Sequence, residues 1–229
     1  LALKAGKVIA WGDNSGVATK VPAEAQSEVT AIAAGDSLSY AVKAGKVIAW
    51  GKTWKGAPEV PAEAASGVTA IAAFGTSAVA VKDGGVIAWE AAGDYTPPVP
   101  VEAQSGVSEV SMGQGFYLAL KAGKVISWGS FIPVPDEALS GVTAISAGDG
   151  FGLALKAGKV IAWGVGSDGQ TTVPAAATTE ATAIAAGHFG FSVAVRQGMV
   201  LAWGNIAFAG FVFAGSLSSW MSYAGSSPS

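Results

Sequence analysis

LALKAGKVIAWG, Leu153–Gly164, is the stretch whose reading decides the fold. Copies of it run from Leu1–Gly12 to a diverged VAVRQGMVLAWG at Val193–Gly204. In the first copy Lys4-Ala5-Gly6 is turn chemistry between two apolar runs. Gly6 is expected in the left-handed conformation that a bulge needs. The returning run Lys7–Trp11 sets Val8 and Ala10 on one face, Ile9 and Trp11 on the other. Both faces are apolar, so this strand is expected to be covered on both sides. Frequent Gly, with Val and Ile at the centres, disfavours helix.

Working outward, the tryptophans that end the copies are Trp11, Trp50, Trp89, Trp128, Trp163 and Trp203, spaced by 39, 39, 39, 35 and 40 residues. Before each later copy stands a second landmark, VTAIAAG at Val29–Gly35 and its relatives at Val68–Phe74, Val107–Gly113, Val142–Gly148 and Ala181–Gly187. Strict alternation would put Val29, Ala31 and Ala33 on one face and Thr30, Ile32 and Ala34 on the other. A third landmark, VPAEAQS at Val21–Ser27, recurs at Val60–Ser66, Val99–Ser105, Val134–Ser140 and Val173–Thr179. Its glutamates Glu24, Glu63, Glu102 and Glu137 read as cap or connector groups that could accept backbone N–H bonds. Each unit thus offers about three strands and a Pro-bearing connector, too little to bury its own faces. Packing units around an axis gives a β-propeller; a linear β-solenoid is the rival.

The expected fold is all-β, a propeller over residues 1–214 with a Ser/Gly-rich tail at 215–229. Six hairpins are visible, so six blades are expected. Residues 1–12 lack a first strand, and Ile206–Ala214 is one candidate to supply it and close the ring. A further divergent blade or an irregular end are the other readings of that segment. The chain opens inside a hairpin strand without Met or leader, so a mature, trimmed or fragmentary product is expected.

Net charge is −3 with 13% charged residues, which offers nucleic acid no basic face. Cysteine is absent, leaving redox compartment open, and no apolar run is long enough to span a bilayer as a helix. One histidine, His188, cannot found a zinc site, and no phosphate loop, dinucleotide fingerprint or nucleophile elbow occurs. The expectation is a monomer with no cofactor, metal, nucleic acid or membrane partner, and no catalysis.

VIAWG, VPAEAQSGV and LALKAG standing together resemble the short RCC1-like repeat, and within that family the secreted β-lactamase-inhibitory propellers of Streptomyces. The resemblance covers residues 1–204 and implies a seven-bladed ring, a secreted bacterial setting and a protein partner. That partner would be a class A β-lactamase whose active site the ring occludes. It also implies that loops after AAG and after WG carry the contacts, with aromatics prominent. On those loops the candidates are Asp13, Trp54, Tyr95, Phe116, Tyr117, Phe151, Asp168, His188 and Phe189. The blander reading of the aromatics is that they fill sheet interfaces. The repeated Trp of VIAWG is read as packing. Two other functions remain open: a repeat scaffold with a different or no evolved partner, and a propeller lyase or hydrolase, for which one histidine is poor material.

Overall fold

A computed structural model describes residues 1–12, 17–91 and 96–206. Asp13 and Tyr95, and most of the segment after Trp203 that was considered for ring closure or a tail, lie outside the described residues. Among the described residues six antiparallel sheets follow one another along the chain. The first has two strands, β1 (Ala2–Lys4) and β2 (Lys7–Ile9). The second is β3 (Val29–Ala34), β4 (Leu38–Lys43) and β5 (Lys46–Gly51). The third is β6 (Val68–Phe74), β7 (Ser77–Lys82) and β8 (Gly85–Glu90). Then come β9 (Val107–Gly113), β10 (Phe116–Lys121) and β11 (Lys124–Trp128). The fifth is β12 (Val142–Ala147), β13 (Phe151–Lys156) and β14 (Lys159–Gly164), and the sixth β15 (Ala181–Ala186), β16 (Phe191–Arg196) and β17 (Met199–Gly204).

The core lies between sheets rather than within one. Leu38, Tyr40 and Val42 of the second sheet pack on Val68, Ile71 and Trp89 of the third. The same pattern joins the third to the fourth, the fourth to the fifth, the fifth to the sixth, and Val8 of the first to the second. The repeated tryptophans from Trp50 onward are buried in these seams, as expected. The first strands of successive sheets, β3, β6, β9, β12 and β15, stand side by side, which makes them the inner strands of a propeller-type array.

Two details of the repeat differ from the sequence reading. The turn is a two-residue hairpin loop: Lys4 pairs with Lys7, and both Ala5 (φ 50°) and Gly6 (φ 74°) are left-handed. That is the type I′ geometry, which matches strand twist without a bulge. Glycine is needed for a second reason. A Cβ on Gly6 would stand 3.0 Å from the Glu28 nitrogen, because the Gly6 carbonyl accepts the Val29 N–H at 2.9 Å. Gly45, Gly84, Gly123 and Gly158 hand their carbonyls to the next unit in the same way.

The bulge is real but sits in the inner strand. Register slips between Val29 and Ala31, Val68 and Ala70, Val142 and Ala144, and Ala181 and Ala183. The extra Thr turns outward, and its hydroxyl donates to the neighbouring strand, Thr143 Oγ1 to the Leu155 carbonyl at 3.1 Å. The slip resets alternation, so Val142 and Ile145 enter the same seam instead of opposite faces. The recurring glutamates are not caps either. Each short 3-10 turn begins at Pro with no side-chain cap; the residue the turn buries completely is the following Ala25, Ala64, Ala103, Ala138 or Ala177.

Candidate functional site

Antiparallel pairing sends the loops after the inner strands and the connectors after WG to one end of the sheets, and the KAG turns to the other. At the first end the inner strands surround a cavity of about 240 Å3, lined by Ala34, Asp36, Phe74, Met112, Asp149 and His188 among others. Phe74 stands where the second, fourth, fifth and sixth sheets have glycine. A Cβ at Gly113 would be 2.0 Å from the Gly148 carbonyl oxygen, so close strand approach excludes a side chain there. The third sheet has that space, and its ring turns into the mouth.

His188 ties this mouth together. Its Nδ1 bonds the Asp149 carboxylate, on the loop of the neighbouring sheet. Its ring packs T-shaped with Phe74, centroids 4.7 Å apart, and stacks on Phe189 with centroids 4.4 Å apart. Asp149 Oδ2 also accepts the Phe189 N–H at 3.2 Å, while Oδ1 is shut off from solvent without a donor. Neighbouring inner strands are pinned by side chains in the same region. The Ala147 N–H donates to Ser111 Oγ at 2.9 Å and the Ala186 N–H to Ser146 Oγ at 2.8 Å. Glu109 Oε1 accepts the Ile145 N–H at 3.3 Å; burial pushes this carboxyl above its ordinary range, and that hydrogen bond only partly offsets it.

The loop of the sixth sheet is one residue longer than its counterparts, GHFGF against GDGF in the fifth. The extra residue forces Phe189 into a left-handed backbone, φ 62°, unusual for a bulky side chain. The ring is left 59% exposed. Trp54 is 74% exposed on the tight Thr53–Gly56 loop, with Lys55 Nζ 4.6 Å from its ring centre. Phe131, which the sequence reading did not single out, is fully exposed on the shortened connector after Trp128. Its signal was its place on a connector shorter than its neighbours. Asp168 is exposed; its N–H donates to the buried Gln170 side chain at 3.0 Å, and the Gln170 carbonyl takes the Trp203 indole N–H at 2.8 Å.

Three of the aromatic candidates are corrected. Phe116, Tyr117 and Phe151 begin middle strands and point into the seams, where they are buried, Tyr117 stacked on Trp128 at 5.2 Å. Phe116 and Tyr117, the first two places of one middle strand, enter the seams on its two sides. Among the described residues no group of three metal-ligating side chains comes together, and no helix is long and apolar enough to cross a membrane.

No family model matches the chain, and no curated protein matches it. Solved structures do. Prp20p of Saccharomyces cerevisiae, described with its binding to Gsp1p and histones, aligns with TM-score 0.61 and 18% identity over 85% of this chain and 66% of that one. The ectodomain of the Arabidopsis thaliana receptor kinase ACR4 gives 0.58 and 19% over 76% and 62%. Human WBSCR16 gives 0.55 and 14% over 77% and 61%. The chain spans under two thirds of each of these structures. They establish an RCC1-like β-propeller fold. The expected secreted bacterial setting is overturned: these matches are a yeast protein, a plant receptor ectodomain and a human protein.

Proposed function

We propose that this chain is a non-catalytic protein-interaction propeller whose working surface is the mouth end of its sheets. The observation that carries the reading is the set of exposed rings there, Trp54, Phe131 and Phe189, on loops of three different sheets. Large exposed aromatics on a rigid frame are the usual anchors of an interface, and a preformed frame lowers the ordering cost of binding. The strained backbone of Phe189 fits this: strain held in a loop points to a role for what it displays. The test compares the wild type with a Trp54→Ala, Phe131→Ala, Phe189→Ala variant against a partner captured and identified by mass spectrometry. The expected loss of affinity is at least ~100-fold, from hot-spot terms of about 2 kcal/mol each that add incompletely. Equal affinity would remove the mouth from the interface.

A finer reading, steric occlusion of a class A serine β-lactamase, is favoured by the wording of the repeat alone. Micromolar protein should then suppress nitrocefin hydrolysis. Unchanged rates across several class A enzymes would strike out that partner and leave the interaction reading standing. Independently of that partner, we propose six blades from the visible hairpins, a monomeric state, and closure of the ring between residues 1–12 and the segment after Trp203.

A further inference from the structure

We infer that the mouth cavity receives a basic side chain, arginine or lysine, from the protein partner; this rests on the mouth being the binding surface. At about 240 Å3 the cavity is smaller than the roughly 300–1,000 Å3 of small-molecule sites and suits one inserted side chain. Its charged lining among the described residues is Asp36 and Asp149, without lysine or arginine, and His188 is already held by Asp149. The Asp149 side chain keeps 22% of its surface open at the mouth beside its bonds to His188 and the Phe189 N–H. Asp36 is exposed, and its carboxylate has no ion pair among the described residues. Phe74 adds an aromatic ring to the lining, a group that can attract a cation, and Ala34, Ala73 and Ala147 offer apolar wall for an alkyl stem. An acidic side chain would meet two carboxylates of its own sign. An apolar one would strip water from both without replacing it.

His188 is the only histidine, so its ring protons are a single unambiguous NMR reporter inside the cavity. The full chain is titrated at pH 8 and constant ionic strength with acetyl-arginine amide, acetyl-lysine amide and, as neutral control, acetyl-glutamine amide. The basic probes are expected to shift His188 saturably and the neutral one not. Asp36→Asn and Asp149→Asn should each weaken the basic probes about tenfold, the weight of one charge-assisted hydrogen bond. Asp36 is exposed, so its variant keeps the test valid if the Asp149 variant folds poorly. A response equal for all three probes, or unchanged in the Asp36 variant, overturns the inference. If the basic probes fail while the triple aromatic variant still loses the partner, only the cation falls and the mouth remains the interface.

Discussion

The stretches Leu1–Gly12 and Leu153–Gly164 carry the same twelve residues in the same order, and Trp11 is 65% exposed where Trp163 is 7% exposed. Ile9 and Ile161 differ likewise, 42% against 6%. Both stretches form the same hairpin, Lys4 paired with Lys7 and Lys156 with Lys159, over an alanine in the left-handed region. Local sequence therefore builds the hairpin and leaves its environment undecided. In the fifth sheet Ile161 and Trp163 press on Leu118 and Leu120 of the fourth, while Leu153 and Leu155 face the sixth. In the first sheet Val8 faces the second sheet, and the Ile9 and Trp11 face is exposed. The opposite face of the sixth sheet is open too, with Val200 exposed where Val160 is buried.

The largest expected contrast is at the tryptophans. Trp163→Ala should cost about 3–5 kcal/mol in urea unfolding, a large cavity in a packed seam, and Trp11→Ala within ~0.5 kcal/mol. Equal losses would mean that the first hairpin is covered after all, and the comparison would break. Next comes the turn, where the two copies should agree. Gly6→Ala and Gly158→Ala should each cost about 1–3 kcal/mol, since both sit at positive φ against backbone of the next unit. A cheap Gly6→Ala would show the first seam to be loose.

Thr143→Val removes the hydroxyl donor at the bulge of the fifth sheet, with an expected loss near 1 kcal/mol by the same measurement. Among the described residues no inner strand pairs with the first hairpin to be tested in parallel. The smallest effect is electrostatic. Glu109 has a folded pKa raised above its unfolded value, chiefly by burial, so the folded chain binds that proton more tightly. Its contribution is favourable below the ordinary carboxylate range and is lost as pH rises through that range to the raised value. Glu109→Gln keeps an acceptor for Ile145 N–H and should raise Tm by up to ~3 °C at pH 7, with no gain at pH 3. A gain of the same size at both pH values would assign the effect to packing.

The propeller architecture was readable because it rests on recurrence: three landmarks, each tied to one local geometry, repeated with a period too long for chance. The mouth was only half readable. Trp54, His188 and Phe189 could be picked out because each breaks the pattern of its loop. Phe116, Tyr117 and Phe151 broke it as well and turned out to face inward, since a middle strand is covered on both sides, Phe116 in one seam and Tyr117 in the other. Asp149 and Phe74 acquire meaning only from His188, 39 residues from the first and held against the second across the mouth.

By itself the order of residues settled where the chain turns, which runs are extended, and that each unit needs neighbours, because turns and apolar alternation are short-range matters of sterics and hydration. Which copies obtain neighbours, which faces the inner-strand bulge brings together, and which rings end in water were decided only by packing. Those outcomes depend on the distance between backbones far apart in the chain, and identical twelve-residue stretches cannot encode it.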